Sequence, residues 1–164
     1  MSATMSVTTA SPAKPIIPVF ASITERLSPL AEPLLRVTTG LLLVPHGAQK
    51  LFGAFGGYGL EGTGQFMASL GLTPGYLMAL LAGSAEFFGG LAMLFGLLVR
   101  PASAALAFAM VIAIFSAHFS KGLFLANGGY EFGLALLAAS VALLISGAGK
   151  LSVDAALATR STGR

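Results

Sequence analysis

A chain of 164 residues with 55% hydrophobic and only 9% charged residues, and a mean hydropathy of +0.87, lacks the polar surface that keeps a soluble domain of this size dispersed. Its net charge of +3 comes from scattered residues, with no basic run beside stacking aromatics, so nucleic acid is excluded as a partner and the positive residues read as topology signals. The absence of cysteine excludes disulfide exchange, thiolate ligation of iron–sulfur clusters and covalent haem attachment by this chain.

Residues 1–30 read as a disordered and interfacial N-terminal segment. They lack the basic start, apolar stretch and small-residue site of a cleavable signal peptide. Met1 to Ala13, rich in Ser, Thr and Ala, is expected to be disordered, and Pro12, Pro15 and Pro18 then stiffen the chain. From Phe20, the apolar residues Phe20, Ile23, Leu27 and Leu30 recur at helical spacing, with Ser22 and Glu25 placed as a capping box. The expectation is a short helix on the membrane surface or a simple tether.

Residues 31–155 carry an all-α membrane domain, a bundle of four transmembrane helices. The spans fall at about 33–52, 74–99, 101–120 and 130–146, each near the ~20 residues needed to cross hydrocarbon. Pro33, Pro74 and Pro101 sit where helices start, and Gly147 and Gly149 where the last one ends. Leu98 to Pro101 leaves room for only a tight turn, which makes spans two and three antiparallel neighbours. The Gly-rich, partly apolar loop from Gly53 to Thr73 is expected to fold back into the interface. Residues 156–164 form a short tail. Lys14, Arg26, Arg36, Arg100, Lys150, Arg160 and Arg164 fall on one side and Lys50 and Lys121 on the other, which predicts cytoplasmic termini in a bacterial inner membrane. His46 is followed by Phe52, Ala54, Gly56, Gly57 and Tyr58, and His118 at the same offsets by Phe124, Ala126, Gly128, Gly129 and Tyr130. Such a repeat suits two parallel two-helix halves.

Polar groups in hydrocarbon are expensive, so each needs a reason. Glu86 lies about twelve residues into span two, roughly 18 Å along the helix and near the bilayer centre. Gly83, Gly89 and Gly90 flank it and allow a neighbouring helix close, so Glu86 should face the bundle. It reads either as a proton-handling or ligand-binding carboxylate or as a structural hydrogen-bond partner. Pro45 and Gly47 are expected to bend span one around His46. His46, Lys50, His118 and Glu131 lie toward the outer side. They suit a polar pocket for a quinone head group, or they only anchor helix ends, with Lys50 snorkelling. Arg36, near the start of span one, suits a carboxylate, an anionic lipid or snorkelling. Two histidines are the bare minimum for a haem and nothing else supports one; no metal site is expected.

Four stretches together resemble the DoxX family of bacterial membrane proteins: LLRVTTGLLLVPHGAQKLFG from Leu34, LLAGSAEFFGGLAMLFGLLVRPAS from Leu80, GGYEFGLALL from Gly128 and GAGKLSVD from Gly147. The resemblance runs from Leu34 to Ala155. It carries over an Arg opening the first helix (Arg36) and a His-Gly…Lys group closing it (His46, Gly47, Lys50). A Glu with paired glycines follows in the second helix (Glu86, Gly89, Gly90), then Arg100. Glu131 opens the fourth helix, and Gly147, Gly149, Ser152 and Asp154 end the domain. Family members include a membrane subunit linked to thiosulfate:quinone oxidoreductase and partners in membrane-bound redox or detoxification complexes. The resemblance therefore implies a membrane subunit associated with redox chemistry, binding a quinone or docking a soluble redox enzyme, with no covalently bound cofactor. Alternatives from other classes remain: a non-enzymatic scaffold or assembly factor, or a small transporter acting as a homo-oligomer.

Overall fold

The computed structural model describes residues 18–162, and those residues fold as helices joined by short turns. The expected disorder of Met1–Ala13 lies outside them. Helix α1 (Pro18–Leu27) passes through a 3-10 turn (Ser28–Leu30) into α2 (Ala31–Phe52). Then come α3 (Gly59–Ser69), α4 (Gly75–Phe95), α5 (Val99–Ala113), α6 (Glu131–Ser146) and α7 (Val153–Thr162). Because α1 begins at Pro18, Ser22 lies inside the helix rather than at its cap.

Phe20–Phe52, Gly75–Phe95 and Val99–Lys121 are long and apolar enough to cross a bilayer; Glu131–Ser146 is apolar but shorter. The chain is thus an all-α membrane protein, with three runs of spanning length among the described residues where the sequence suggests four. The 16 residues of α6 rise only ~24 Å. A helix that short crosses by thinning the bilayer or by lending its flanking residues to the interface.

Two boundaries differ from expectation. Helix α4 stops at Phe95, not Val99, because Gly96 takes the left-handed conformation (φ 68°). Leu97 N–H then donates to Ala92 O at 3.0 Å and Gly96 N–H to Met93 O at 3.3 Å, the ring-closing bonds of a glycine C-cap. Helix α5 therefore opens at Val99, and Pro101 falls at its third residue. Within the long loop, α3 packs chiefly on the start of α4, leaving Phe55, Tyr58 and Phe66 exposed.

The most extensive packing joins α2 to α4, and glycines explain it. A Cβ on Gly40 would lie 2.6 Å from Gly90 O, one on Gly47 2.7 Å from Phe87 Cα, and one on Gly90 2.9 Å from Val44 Cγ2. Only backbones stripped of side chains approach this closely. Helix α2 runs as one helix through Pro45, and Gly47 within it is the point of contact with Phe87 of α4. The second strong pairing is α5 with α6, while Gly89 of α4 receives Leu106 of α5. Leu43, Met93, Val99, Leu106, Met110, Leu136 and Leu143 fill the centre.

The repeat is real locally. Tyr58 (φ −92°, ψ −2°) and Tyr130 (φ −91°, ψ −3°) take the same N-cap conformation, each after a 3-10 turn (Ala54–Gly56 and Leu125–Asn127). Yet Tyr58 opens the 11-residue α3 and Tyr130 opens α6, so the repeated motif does not make two equal halves.

Gly47→Val is expected to destabilise the bundle by about 3 kcal/mol or more, since its methyls would meet backbone that cannot move aside. Thr38→Val, on an exposed face of the same helix, should be near neutral. Thermal unfolding of both variants in detergent measures the difference.

Candidate functional site

Lys50 sits two residues before the end of α2, and Glu86 lies near the middle of α4. They meet because Gly83, one turn from Glu86, has no side chain: a Cβ there would stand 3.2 Å from Lys50 Cβ. The lysine stem lies over that gap and points inward. Its Nζ donates to Glu86 Oε2 at 2.5 Å. The Glu86 side chain is 7% exposed and that of Lys50 26%. Lys50 therefore does not snorkel outward, and Glu86 is not an isolated carboxylate. A charge pair in so apolar a surrounding is costly to make and more costly to break, because either partner alone would leave a buried charge.

The other residues expected to gather with Lys50 take different partners. His46 lies on an exposed face of α2, its ring 6.1 Å from that of Phe132 of α6. His118 closes a π-helical turn (Ile114–His118) that continues α5, and its Nδ1 stands 2.7 Å from Gly128 O. Glu131 Oε1 accepts from Leu125 N–H at 2.6 Å. Tyr130 stacks on Phe119 at 5.7 Å, which in turn packs on Phe115 at 5.3 Å. His118 and Glu131 thus hold the 119–130 connection, while Lys50 pairs with Glu86 and His46 stands beside Phe132.

Arg36 belongs to the opposite end, fourteen residues or ~21 Å along α2 from Lys50. It is 4% exposed. Its Nη1 donates to Met93 O and Leu94 O at 2.8 Å, its Nε to Ala148 O at 3.2 Å, and its Nη2 to Leu151 O. One guanidinium therefore joins α2, the last turn of α4 and the segment after α6. Asp154 completes this end: its carboxylate accepts from Leu98 N–H at 2.8 Å and Val99 N–H at 3.0 Å. Those amides open α5 and have no partner within the helix, so Asp154 caps α5 from a distance. A Cβ on Gly96 would stand 2.6 Å from Ser152 Cβ, and Gly147 lies against the Arg100 guanidinium.

Residue-level reasoning missed the hydroxyls of Ser103 on α5 and Ser140 on α6. Both are fully buried and without a hydrogen-bond partner among the described residues. Serines are common in apolar helices, so no pattern marked them. Among the described residues, no three His, Asp or Glu side chains come together as a metal cluster.

The DoxX family pattern matches residues 33–119. The chain belongs to the DoxX family. A Bacillus subtilis (strain 168) protein named "Putative oxidoreductase CatD" is 36% identical over 121 residues, covering 74% of this chain and 82% of the relative. No solved structure matches the chain. The matched DoxX segment contains Arg36, His46, Lys50 and Glu86; Glu131 and Asp154 lie beyond it. The ion pair and both close helix contacts of α4 thus fall within the shared segment, whereas the carboxylates that brace the loop and cap α5 come after it.

Arg36→Lys should destabilise the fold by about 3 kcal/mol or more although charge is kept, because one ammonium cannot reach the four carbonyls on both segments. Comparing denaturant midpoints of Arg36→Lys and the parent protein tests this.

Proposed function

We propose that this DoxX protein is an inner-membrane subunit of a redox system, with both termini cytoplasmic, and that the Lys50–Glu86 pair binds the head group of a quinone. The observation that carries the reading is the pair itself: two opposite charges held at 2.5 Å between apolar helices, with the ammonium still partly accessible. A purely structural role would be served as well by packed apolar side chains, which are often more stable than a buried ion pair. The excess of Lys and Arg at the Arg36 end supports the orientation. The family and the relative's name support the redox association.

In this reading Lys50 donates a hydrogen bond to a quinone carbonyl oxygen. Glu86 exchanges the proton that accompanies each electron, passing it to the reduced oxygen or taking it back on oxidation. In this reading the electrons come from a soluble redox enzyme docked on the membrane, a role consistent with the relative's name. His46, on the exposed face beside Phe132, borders the bilayer through which a lipophilic quinone would arrive.

Glu86→Gln removes the proton site but keeps shape and hydrogen-bonding capacity. Quinone recovered with the purified protein, measured by mass spectrometry, should fall about tenfold or more, with membrane insertion unchanged. Full quinone recovery with full activity in the Gln variant would sink the proposal.

A further inference from the structure

The chain's two histidines are held differently. His118 has its Nδ1 2.7 Å from Gly128 O, inside the connection that it braces. His46 makes no hydrogen bond or ion pair among the described residues. Its neighbour is the ring of Phe132, 6.1 Å away and tilted by 52°. A phenyl ring carries no nitrogen or oxygen, so the imidazole nitrogens are left without a polar partner there. His46 lies six residues, or ~9 Å, before the end of α2 at Phe52, and it is exposed. A residue that only anchors a helix end would sit nearer the headgroups. At this depth a bare imidazole costs free energy unless something outside the chain meets it.

Lys50 follows His46 by four residues, one turn on and on the same face of α2. Side chains at this spacing have Cβ atoms ~5–6 Å apart. The Lys50 ammonium has three N–H donors, and one goes to Glu86 Oε2. The others remain, on a side chain that is 26% exposed. A neutral imidazole keeps one N–H of its own. One strip of α2 thus carries two donor groups a turn apart. The first stands beside the flat apolar wall of Phe132, and the second is fixed by a carboxylate deeper in the bundle.

We infer that His46 and Lys50 together hold the two carbonyl oxygens of a 1,4-quinone, Lys50 the oxygen beside Glu86 and His46 the oxygen across the ring. This rests on the quinone reading and adds the class of substrate to it. In a 1,4-quinone the oxygens lie at opposite ends of the ring, and their separation is close to one helical turn, ~5.4 Å. In a 1,2-quinone they are neighbours, and Lys50 alone would meet both. The ring lies along α2 with its apolar edge or face toward Phe132. His46 is then the residue that sets specificity. A ligand without the second oxygen leaves the imidazole unpaired, and a site built to hydrogen-bond an oxygen discriminates against the analogue that lacks it.

Binding of 1,4-naphthoquinone and of 1-tetralone, a fused-ring analogue with a single carbonyl, would be measured by calorimetry on the full chain in detergent. The parent protein should bind the quinone about tenfold more tightly than the tetralone. His46→Phe keeps a ring beside Phe132 and removes the donor. It should weaken naphthoquinone binding about tenfold and leave 1-tetralone unchanged. His46→Gln restores an N–H and should recover most of the loss. Equal affinity of the parent for the two probes overturns the inference. So does a His46→Phe chain that loses both probes equally or neither, or a His46→Gln chain no better than His46→Phe. In each of these cases naphthoquinone still binds the parent, and the quinone reading stands. Failure of the parent to bind naphthoquinone at all would remove both.

Discussion

Helices α2 and α4 touch backbone to backbone, and the other functional geometry follows from that contact. Gly40 and Gly47 on one helix face backbone atoms of Gly90 and Phe87 on the other, and Gly90 in turn receives Val44. With the axes this close, the stem of Lys50 lies across Gly83 and its ammonium reaches a carboxylate deeper in the bundle. A wider spacing would leave Lys50 to reach for the headgroups and would leave Glu86 without its partner. The glycines are therefore part of the site although they carry no chemistry. They set the separation at which two charges can share hydrocarbon.

The two ends of the bundle are built on different principles. At the Lys50 end, charged side chains meet each other or hold loop backbone, and several aromatic rings stay exposed. At the Arg36 end, charged side chains meet main-chain groups: carbonyls for the guanidinium, amides for Asp154. Main-chain groups at helix termini have fixed positions and need partners, so the Arg36 end is rigid. The other end keeps a charge pair with one side partly open. This asymmetry is why the proposed ligand site is placed beside Lys50 and Arg36 is given a structural part.

Much of this architecture is legible in the residues. Low charge and long apolar runs give an all-α membrane protein, and the glycines around Glu86 point it into the bundle. What the chain order hides is which partner each polar group takes. Lys50 is near His46 in sequence and bonds to Glu86 instead, because a missing side chain at Gly83 is a statement about space, not about spacing. Arg36 looks like a surface cation on a helical count, since its four acceptors are main-chain carbonyls that no residue letter marks. The end of α4 was placed late because Leu97, Leu98 and Val99 continue the apolar run, while the left-handed Gly96 that stops the helix looks like any other small residue. Gly47 poses a related difficulty: its place against Phe87 of α4 is a matter of packing that no residue letter marks.

The clamp around Arg36 also has a meaning in time. Its acceptors arrive in order: Met93 and Leu94 with α4, then Ala148 and Leu151 after α6, and last Asp154 to cap α5. A chain leaving the insertion machinery therefore carries a guanidinium only partly satisfied, and two uncapped amides, until residues 148–154 have been made. The Arg36 end of the bundle is complete only once residues 148–154 are in place. A chain cut short after α6 would keep its apolar helices yet expose the signature of an incomplete product, which membrane quality-control proteases are suited to recognise.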